Sequence, residues 1–398
     1  MTLFAAVGKA QGLDATEAAI LATDQALAKT GRHAISLAII ASAHDYPVDQ
    51  VVNGVAGLLS DTPLLGFSTP AQLTAEGIHH RSIVVALIVG DQLKADSGWW
   101  EEHNDNGHSD DLQLLKMNDP EIRGLLVAAD SLDSKSLGRL HFTSNGSFSL
   151  GGCLAGGEIS ADDTYQIGGR SYGSKGIAAA TLRGRVSLGV GARHGWQPLG
   201  IYLRITQTDD LLIKTLDGRR ACEAYAEVFG YPARDWTYPP LNHLVRLYPF
   251  GVEIENNGKP GSTNLHIRAP RRVEVDGSLR MDSRIAQGKT AHLMVSSIDN
   301  CLAAARDATE RAVHSLGGAK PVLALVFADI AWQMQLQAQP GAEVSAIQEV
   351  IGEGVPIIGG YTFGQLISTP DGEPDVLNQH IQVILIGDPE EKPDRSPD

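Results

Sequence analysis

A short phrase occurs three times in this chain, as PLLGFSTPAQL at Pro63–Leu73, FSLGGCLAGGEIS at Phe148–Ser160 and PIIGGYTFGQLIS at Pro356–Ser368. Each copy has apolar residues, then glycine and other small residues, then a Gln or Glu followed by Leu or Ile. The apolar residues are typical of a buried strand end, and glycine lets the main chain approach a neighbouring strand or a ligand. A segment that recurs in this way predicts one structural unit used three times.

The elements around the phrase recur in the same order. In the first copy, an apolar strand at 33–45 and an amphipathic helix at 47–61 precede the phrase, and a second apolar strand at 81–91 follows it. The last copy repeats this order from 321 to 388, and the middle copy repeats it more loosely from 123 to 184. The pattern predicts an α+β (mixed α/β) fold, with two domains built from repeated strand–helix–strand–strand units and sheets covered by helices.

The length of the chain favours two domains, because 398 residues exceed what one hydrophobic core usually holds. The sequence pattern changes near Thr206, where we place the junction. We therefore predict a first domain at 1–206, a second at 207–390 and a polar, proline-rich tail at 391–398.

Capping residues mark several helix ends. Asp14 can accept a hydrogen bond from a free N–H at the start of a helix that runs to Thr30, and Gly31 can end that helix. Similar reasoning predicts helices at 220–229 and 299–316.

Charge and cysteine content exclude several classes of function. A net charge of −15 argues against binding to nucleic acid or to an anionic membrane, since both require a basic surface. No apolar run is long enough to cross a bilayer, and the start of the chain lacks the pattern of a signal peptide. Three widely spaced cysteines fit a reducing compartment, so we expect a cytoplasmic protein.

Six phrases, taken in order, resemble the FIST family with its paired FIST N-terminal and FIST C-terminal domains. They are GFSTPAQL (Gly66–Leu73), GGCLAGGEIS (Gly151–Ser160), HGWQPLG (His194–Gly200), LDGRRACEAY (Leu216–Tyr225), YPFGVEI (Tyr248–Ile254) and GGYTFGQL (Gly359–Leu366). The resemblance implies a sensory module of prokaryotic signal transduction that binds a small molecule, with amino acids as the usual proposal. One branch of the family implies an alternative, a haem-binding nitric-oxide sensor.

The chain departs from the family pattern near its last phrase. Family members often carry a Cys and an Arg after the last long helix, where this chain has FADIAWQM with Ala328 and Trp332. The last phrase usually ends in Gly-Glu-Ile, whereas here Gln365 replaces the Glu. The loss of an Arg and a Glu together suggests that a charged pair is missing, which weakens the case for a ligand held by charge at this end.

The candidate ligand-binding residues come mainly from the three phrases. Hydroxyl and thiol groups beside glycine N–H donors suit a pocket for a small polar ligand, while close packing of strands and helices is the alternative explanation. The Gln or Glu of each phrase can bind a ligand or can satisfy main chain at a strand end. The full set is Gly66, Ser68, Thr69, Gln72, Gly152, Cys153, Glu158, Arg268, Gly359, Tyr361, Thr362 and Gln365.

Arg268 enters this set for a different reason. It lies in the alternating segment LHIRAP, where an arginine can clamp a carboxylate through two hydrogen bonds or can simply be a surface strand residue.

Other chemistry has weaker support. Cys153 or Ser68 can serve as the nucleophile of a hydrolase or transferase, but no base is recognisable, and we therefore assign no catalytic residue. His194 is a candidate haem or metal ligand, although a hydrogen-bonded structural histidine is the commoner case. The acidic segment after Asp91 lacks the spacing of a metal site and is interpreted as a solvated loop anchored by Trp99 and Trp100.

The sequence thus predicts a cytoplasmic sensory protein that binds an amino acid or another small polar ligand. We expect no metal and no cofactor, with haem as the alternative. Ligand binding between domains can change their relative angle, and a separate signalling protein is the expected recipient of that change.

Overall fold

A computed structural model describes most of the chain, namely residues 3–31, 33–101, 119–130, 148–159, 163–253, 265–368 and 374–389. Residues 131–140 of the middle copy, residues 102–111 of the acidic segment after Asp91, and the tail at 391–398 lie outside these residues.

The first unit of the fold has two helices and six strands. Its elements are β1 (Phe4–Gln11), α1 (Ala15–Thr30), β2 (Leu37–Ala43), α2 (Val48–Leu58), β3 (Leu64–Thr69), β4 (Ala71–Thr74), β5 (Gly77–His80) and β6 (Ser82–Val89). The predicted boundaries of α1 are confirmed. Asp14 Oδ1 accepts a hydrogen bond from the N–H of Glu17 at 2.8 Å, and the helix ends at Gly31, whose φ of 66° suits glycine.

The second unit follows the same order of strands. Its described elements are β7 (Leu93–Glu101), β8 (Ile122–Ala129), β9 (Ser149–Leu154), β10 (Gln166–Gly168), β11 (Ser171–Gly173) and β12 (Gly176–Gly184). The solvated loop predicted around Trp99 and Trp100 is wrong, because these residues pair with Ala178 and Ile177 of β12. The composition of β7 resembles that of a loop because the strand contains polar residues such as Asp96. In the structure, the Asp96 carboxylate accepts a hydrogen bond from Arg183 of β12.

A third unit begins at β13 (Ser187–Arg193), and a separate body of strands and helices is inserted after it. The inserted elements are β14 (Gln197–Asp209), β15 (Leu212–Leu216), β16 (Arg219–Arg220), α3 (Ala221–Phe229), α4 (Leu241–Leu244), β17 (Phe250–Glu253), β18 (Leu265–Arg268), β19 (Pro270–Val273), β20 (Leu279–Met281) and β21 (Thr290–Val295). We call them the inserted unit. The junction predicted at Thr206 falls inside β14.

The third unit then resumes. Its remaining elements are α5 (Ile298–Ser315), β22 (Lys320–Asp329), α6 (Ile330–Gln335), α7 (Ala342–Ile351), β23 (Ile357–Thr362), β24 (Gly364–Ser368), β25 (Pro374–Leu377) and β26 (Ile381–Asp388). The helices predicted at 220–229 and 299–316 are confirmed by α3 and α5.

Each unit completes its sheet with a hairpin from another unit, so the three sheets form a closed ring. The strand orders are β1-β6-β2-β3-β10-β11, β7-β12-β8-β9-β24-β25 and β13-β26-β22-β23-β4-β5. Hairpin β4–β5 of the first unit thus joins the third, hairpin β24–β25 of the third joins the second, and hairpin β10–β11 of the second joins the first.

The core of the ring lies where the three sheets face one another. Phe67 of the first sheet and Phe327 of the third contact each other edge to face, with ring centroids 5.1 Å apart, and Leu126 and Cys153 of the second belong to the same buried cluster. Helices cover the outer faces of the first and third sheets. The inserted unit has its own sheet and a separate aromatic core, which includes Tyr225.

The fold is therefore α+β, with mixed sheets and helices packed against them, as the sequence predicts.

Candidate functional site

The three phrases meet in pairs at one end of the ring. The N–H of Gly156 donates to the carbonyl of Ser68 at 2.8 Å, and the Ser68 hydroxyl donates to the carbonyl of Gly156 at 2.9 Å. The N–H of Phe363 donates to the carbonyl of Leu154 at 3.0 Å. These bonds join the first phrase to the second and the second to the third.

Threonines of the first and third phrases also bond to main chain. The Thr69 hydroxyl lies 2.8 Å from the carbonyl of Tyr361 and 2.7 Å from that of Ala71. The Thr362 hydroxyl lies 3.2 Å from the carbonyl of Gly364, which is the corresponding place in the last phrase. Thr69 and Thr362 are fully buried, so their polar groups are satisfied by the protein itself.

Glycine is required in these phrases by close main-chain contacts. A Cβ atom on Gly152 would lie 2.1 Å from the carbonyl oxygen of Val127, and one on Gly359 would lie 1.9 Å from that of Val326. At Gly66 a Cβ atom would meet the side chains of neighbouring strands at 3.0 to 3.1 Å. The space beside each glycine is thus filled by protein atoms.

The two phrase glutamines have matching roles. Gln72 Oε1 accepts hydrogen bonds from the N–H and the hydroxyl of Ser82, at 3.1 and 2.6 Å. Gln365 Oε1 accepts from the N–H of His380 at 3.2 Å. Both side chains are buried and hold main chain where the last strand of their unit begins. This is the second of the two roles that the sequence allows for them.

Glu158 differs from the glutamines, because it is exposed at the end of the second phrase. Its N–H donates to Asp163 Oδ1 at 3.1 Å, and Asp163 Oδ2 lies 2.6 Å from His44 Nδ1. Burial and the charge of Arg272 lower the pKa of His243 in the inserted unit, and the Glu158 carboxylate acts in the opposite direction. Glu158 therefore lies between the ring and the inserted unit.

The enzyme alternative gains no support from the described residues. Burial raises the pKa of the Cys153 thiol far above its usual value, so the thiol is protonated at neutral pH. The Ser68 hydroxyl is engaged by Gly156 and by the N–H of Tyr165. Within the described ranges, neither Cys153 nor Ser68 has a histidine or carboxylate as a hydrogen-bond partner.

Two neighbouring cavities touch the phrases only at Pro356 and Ile357, the first residues of the last phrase. One, of about 350 Å³, is lined by β1, α1 and the loop before β23, and includes Lys9, Lys29 and Glu76. The other, of about 280 Å³, is lined by the turn after β4 and the start of α7. Lys9 is paired with Glu76, and Lys29 Nζ donates to the carbonyl of Val7 at 2.7 Å. None of the twelve predicted ligand residues lines either cavity, and as ligand contacts they stay predictions.

Arg268 lies at the junction between the inserted unit and the ring, with weak partners. Its guanidinium is 3.4 Å from His266 Nδ1 and 3.4 Å from the carbonyl of Ile267. Among the described residues no carboxylate comes within 4.0 Å of it, and Asp375 acts on it only at longer range. Burial lowers the pKa of this guanidinium, with Asp375 raising it in opposition. A half-buried cation that has no carboxylate partner in the described part of the chain is suited to an anionic ligand.

Histidines from both bodies surround this junction. The rings of His194 and His380 lie edge to face, with centroids 5.0 Å apart. Burial is the main cause that lowers the pKa of His194 to about 4 and that of His380 to about 3, so both are neutral at pH 7. His266 makes a further, smaller contribution that lowers the pKa of His380, and its Nδ1 lies beside the guanidinium of Arg268. Since Gln365 bonds to the N–H of His380, the structure brings Gln365 and Arg268 to the same region.

A buried charge cluster connects the inserted unit to the ring. Arg246, after α4, donates to both oxygens of Asp329 at 2.9 and 3.0 Å and to Asp282 Oδ2 at 2.5 Å. Arg271 donates to Asp282 Oδ1 at 2.8 Å and lies over the ring of Phe363, 4.7 Å from its centroid. Arg246 and Asp329 are fully buried, and Asp282 is nearly so.

The two aspartates of the cluster are shifted in opposite directions: burial raises the pKa of Asp329, although Arg246 and neighbouring N–H groups act against it, whereas the pKa of Asp282 is lowered. Burial by itself would raise the pKa of Asp282, but Arg246 and Arg271 outweigh burial and hold that pKa below its usual value. Asp329 also accepts hydrogen bonds from the N–H groups of Ala331, at 3.0 Å, and Gln379, at 2.9 Å. Six donor nitrogens thus meet two carboxylates: three of Arg246, one of Arg271 and the backbone N–H groups of Ala331 and Gln379.

This cluster was not predicted from the sequence. Ala328 and Trp332 in FADIAWQM stand out there as a departure from the family pattern, although the charge in that segment is carried by Asp329. An acidic residue at the end of a strand of buried apolar residues was the available signal, since such a carboxylate needs a cationic partner. Nothing in the sequence around Arg246, 83 positions away, identifies it as that partner.

Models of two protein families match the chain in tandem. The FIST N domain matches residues 36–219, and the FIST C domain matches residues 221–368. The chain belongs to the FIST family. FIST domains are sensory domains of signal transduction that bind small ligands. The two matches meet just before α3, inside the inserted unit, so the FIST C match covers parts of both the inserted unit and the third ring unit.

Comparisons beyond the family are distant. No curated protein matches this FIST chain. Among solved structures, a cyanuric acid hydrolase described as an evolutionary innovation by structural concatenation has 10% identity and a TM-score of 0.33, over 98% of this chain and all of that one. The cyanuric acid hydrolase of A. caulinodans has 9% identity and a TM-score of 0.35, over 97% and 99%. T. maritima PurL complexed with ADP has 10% identity and a TM-score of 0.24, over 97% and 71%. These likenesses carry no argument about fold or activity.

Two further observations concern membranes and metals. In the ranges that the structure describes, no helix combines the length and apolar character needed to cross a bilayer. The same ranges contain no group of three or more His, Cys, Asp or Glu side chains placed to hold a metal ion.

A buried carboxyl under the third phrase gives a testable pH effect. Glu343 of α7 is fully buried, accepts a hydrogen bond from the Tyr361 hydroxyl, and has a second oxygen, Oε2, without a partner among the described residues. Burial raises the pKa of Glu343 above 4.5. Its contribution to stability is therefore fully present below about pH 4.5 and is lost as pH rises through the folded-state pKa.

We expect Glu343→Gln to raise the free energy of unfolding at pH 7, because the amide accepts the same hydrogen bond without a charge to bury. Each unit by which the folded pKa exceeds the unfolded one corresponds to about 1.4 kcal/mol. Urea unfolding at pH 4 to 8 measures this, and the gain over wild type should shrink below about pH 4.5. The matched control is Glu349→Gln on the same helix, which removes an exposed partner of Arg306 and should bring no gain at pH 7. A pH-independent difference for Glu343→Gln would contradict the assignment.

Proposed function

We propose that this FIST protein binds a small polar ligand with a carboxylate or similar anionic group, such as an amino acid, at the junction between the ring and the inserted unit. One observation carries the proposal. Arg268 is a half-buried guanidinium with five donors, and no described carboxylate is within 4.0 Å of it. A planar guanidinium in such a place matches a carboxylate through two parallel hydrogen bonds.

Neighbouring groups support a ligand of this kind. Neutral His380 and His194 add no positive charge that would compete with Arg268 for the anion. The one N–H of neutral His380 is donated from Nδ1 to the carbonyl of Asn378 at 2.6 Å, so Arg268 supplies the donors for the carboxylate. Glu158, His243 and Arg272 add polar groups where the second phrase faces the inserted unit. The Arg and Glu that family members often carry near the last phrase are absent from this chain. The proposal does not require them, because Arg268 of β18 supplies the cation at this junction.

The proposal predicts a selective effect of Arg268. Arg268→Met should weaken carboxylate binding about 10- to 100-fold, since a hydrogen bond to a charged group contributes about 1.5–3 kcal/mol. Arg268→Lys should recover only part of the loss, because a lysine cannot form the paired hydrogen bonds. Isothermal titration with a panel of amino acids and simple carboxylates, chosen first by thermal shift on the wild type, gives the affinities.

The matched control is Arg284→Met in the same body. Arg284 is an exposed arginine paired with Asp210, and its loss should leave the affinity unchanged. A wild-type protein that shows no thermal shift with any member of the panel, or an Arg268→Met variant that binds as tightly as wild type, would overturn the proposal.

We also propose that the three ring units are copies of one unit. Corresponding residues make corresponding contacts in the first and third units: a Cβ atom on Gly8 would lie 2.0 Å from the carbonyl of Ala22, and one on Gly191 would lie 2.0 Å from that of Ala308. In all three units, the hairpin that follows the phrase strand leaves its own sheet and pairs with the sheet of another unit. Such a repeat supports a structural role for the corresponding phrases, which is to hold the three sheets of the ring together.

Cellular location and output complete the proposal. Cys153, Cys222 and Cys301 are unpaired and buried, which supports the cytoplasm as a reducing compartment. We propose that a separate signalling protein receives the ligand-bound state.

A further inference from the structure

The outer helices of the first and third units can be compared position by position. The buried hydroxyls of Thr23 in α1 and Thr309 in α5 each donate to the carbonyl four residues earlier, at 2.7 Å. A Cβ atom on Gly8 of β1, or on Gly191 of β13, would lie 2.0 Å from the carbonyl just before that threonine. Thr23 therefore corresponds to Thr309, and the same register pairs each residue of α1 with one of α5.

The second outer helices of these units, α2 and α7, correspond as well. Each buries four residues at identical spacing, namely Val51, Val52, Gly54 and Val55 in α2, and Glu343, Val344, Ala346 and Ile347 in α7. In this register Gly57 and Leu58 correspond to Glu349 and Val350. The two units thus allow a comparison of two surfaces that are built on the same frame.

In the third unit the surface of this helix pair is charged. Arg306 of α5 donates to Glu349 of α7 at 2.6 Å, and Arg311 donates to Asp307 within α5 at 2.9 Å. Val313 is the one large apolar side chain that these two fully described helices expose. Such a surface of paired charges is suited to contact with water.

In the first unit the corresponding surface is apolar. Ile20 and Leu21 take the places of the arginine and the aspartate of α5, and they are 41% and 46% exposed. Leu58 of α2 is 42% exposed, and Leu13, just before α1, is 87% exposed. Gly57 takes the place of the glutamate of α7. We call these five residues the docking face. Large apolar side chains that are exposed together on the adjoining helices α1 and α2 indicate an interaction site.

The glycine of the docking face indicates that another molecule approaches closely. Glycine destabilises the interior of a helix relative to alanine, so α2 is less stable because of Gly57. An added Cβ atom there would have no atom within 4 Å. The Arg306–Glu349 contact of the third unit shows that this position lies next to that of Ile20. The surface beside Ile20 is therefore open.

Acidic residues border the docking face. Glu17 and Asp24 of α1 lie one turn before and one turn after Ile20, and both are exposed. Among the described residues neither carboxylate has an ion-pair partner, and the nearby Arg170 donates to carbonyls of the turn after α2. A second copy of this chain, with its net charge of −15, would bring like charges together here, whereas a basic partner would be attracted.

We propose that the docking face binds an amphipathic helix of a partner protein, with an apolar stripe flanked by lysine or arginine. The stripe covers Ile20, Leu21 and Leu58 and approaches α2 most closely at Gly57. The flanking cations pair with Glu17 and Asp24 at the rim of the contact. The docking face shares no residue with the anion site of the junction, so this inference is independent of the proposed ligand.

Binding of defined peptides to the full chain tests the inference. Fluorescence anisotropy at physiological salt compares three labelled peptides. One has leucines at helical spacing flanked by lysines, one has glutamates in place of the lysines, and one has the first composition in scrambled order. We expect the first to bind about tenfold or more tighter than each of the others, since it alone combines the apolar stripe with the complementary charge.

Two variants carry the residues of the third unit at the docking face. Ile20→Arg combined with Gly57→Glu leaves the net charge unchanged and should weaken binding of the lysine peptide about tenfold or more, because an apolar contact is lost. Leu21→Asp should also weaken it, although this change makes the face more acidic. A contact that depended on charge alone would instead become tighter.

The matched control is Arg306→Met combined with Glu349→Gln, which removes the corresponding ion pair of the third unit without a change in net charge. This variant should bind the lysine peptide as wild type does. Circular dichroism and urea unfolding check that all variants are folded, and Leu21→Asp tests the face by itself where the double variant is unfolded.

Three outcomes would overturn the inference. The first is equal or undetectable binding of the three peptides. The second is unchanged affinity for the lysine peptide in both docking-face variants. The third comes from sedimentation velocity: a wild-type dimer that Ile20→Arg with Gly57→Glu dissociates would make a second copy the occupant of the face. A wild-type monomer agrees with the basic partner.

Discussion

Replacing Asp329 by asparagine is expected to lower the free energy of unfolding by about 3–5 kcal/mol, which is the usual cost of removing one partner of a buried pair. Arg246 is fully buried and directs three of its hydrogen bonds to this carboxylate. With asparagine in its place, the buried guanidinium keeps Asp282 as a carboxylate partner but meets a neutral amide, whose one oxygen accepts where two charged oxygens did and whose NH2 group has no acceptor in Arg246. Urea unfolding followed by far-UV circular dichroism measures the loss.

Two controls separate a lost buried pair from a generally damaged structure. The double variant Arg246→Met with Asp329→Leu should recover most of the stability, because apolar side chains of similar volume often replace a buried pair at no cost. Asp307→Asn should cost less than about 1 kcal/mol, since an exposed ion pair contributes little. An Asp329→Asn variant as stable as wild type would show that the guanidinium is hydrated in the folded state.

Gly359→Ala is expected to have a comparable effect through packing. A Cβ atom at this position would lie 1.9 Å from the carbonyl oxygen of Val326 on the adjacent strand, so β22 and β23 would have to move apart. Overpacking against fixed main chain costs about 1–3 kcal/mol or more. Because β4 pairs with the other side of β23, we expect the loss at the upper end of that range.

Gly57→Ala is the matched control for this change. Gly57 lies in α2 with no atom within 4 Å of the added Cβ, and alanine there should stabilise the protein by about 0.5–1 kcal/mol. Thermal and urea unfolding of both variants should therefore differ in sign. A Gly359→Ala protein with wild-type stability would mean that the glycine leaves space for another molecule, which is one of the two roles that the sequence allows for it.

The sequence predicted local structure better than it predicted partners. The limits of α1 follow from Asp14 and Gly31, and the buried strands follow from runs of apolar residues, because such signals act between near neighbours in the chain. The meeting of the phrases could not be derived in the same way. Thr69 and Tyr361 are 292 positions apart, and no local pattern states that the hairpin after β3 pairs with β23.

For the candidate site as well, local features could be predicted from the sequence and contacts between distant residues could not. Arg268 was identified from its place in an alternating strand, and the structure leaves it without a carboxylate neighbour among the described residues. Glycines and hydroxyls of the phrases suggested a binding surface, yet the same residue types suit tightly crossed strands, and sequence alone cannot separate the two. Glu158 resembles Gln72 in position but is exposed, because the second phrase continues into a loop where the others turn directly into a strand.

Hairpin exchange has a consequence for how this protein can be divided. In each sheet, two strands come from another unit. A fragment that contains one unit alone would therefore leave the edge of β3, β9 or β23 unpaired, and such an edge can pair with another copy of the fragment. The N–H of Leu3 also donates to the carboxylate of Asp388, which joins the two ends of the described chain. Deleting any unit would disrupt two sheets at once, so we expect the ring to unfold as one cooperative body. The inserted unit is different, because its two connections to the ring, at Gly195 and Ser296, lie side by side. It is therefore the part of the chain that evolution could replace without disrupting the ring.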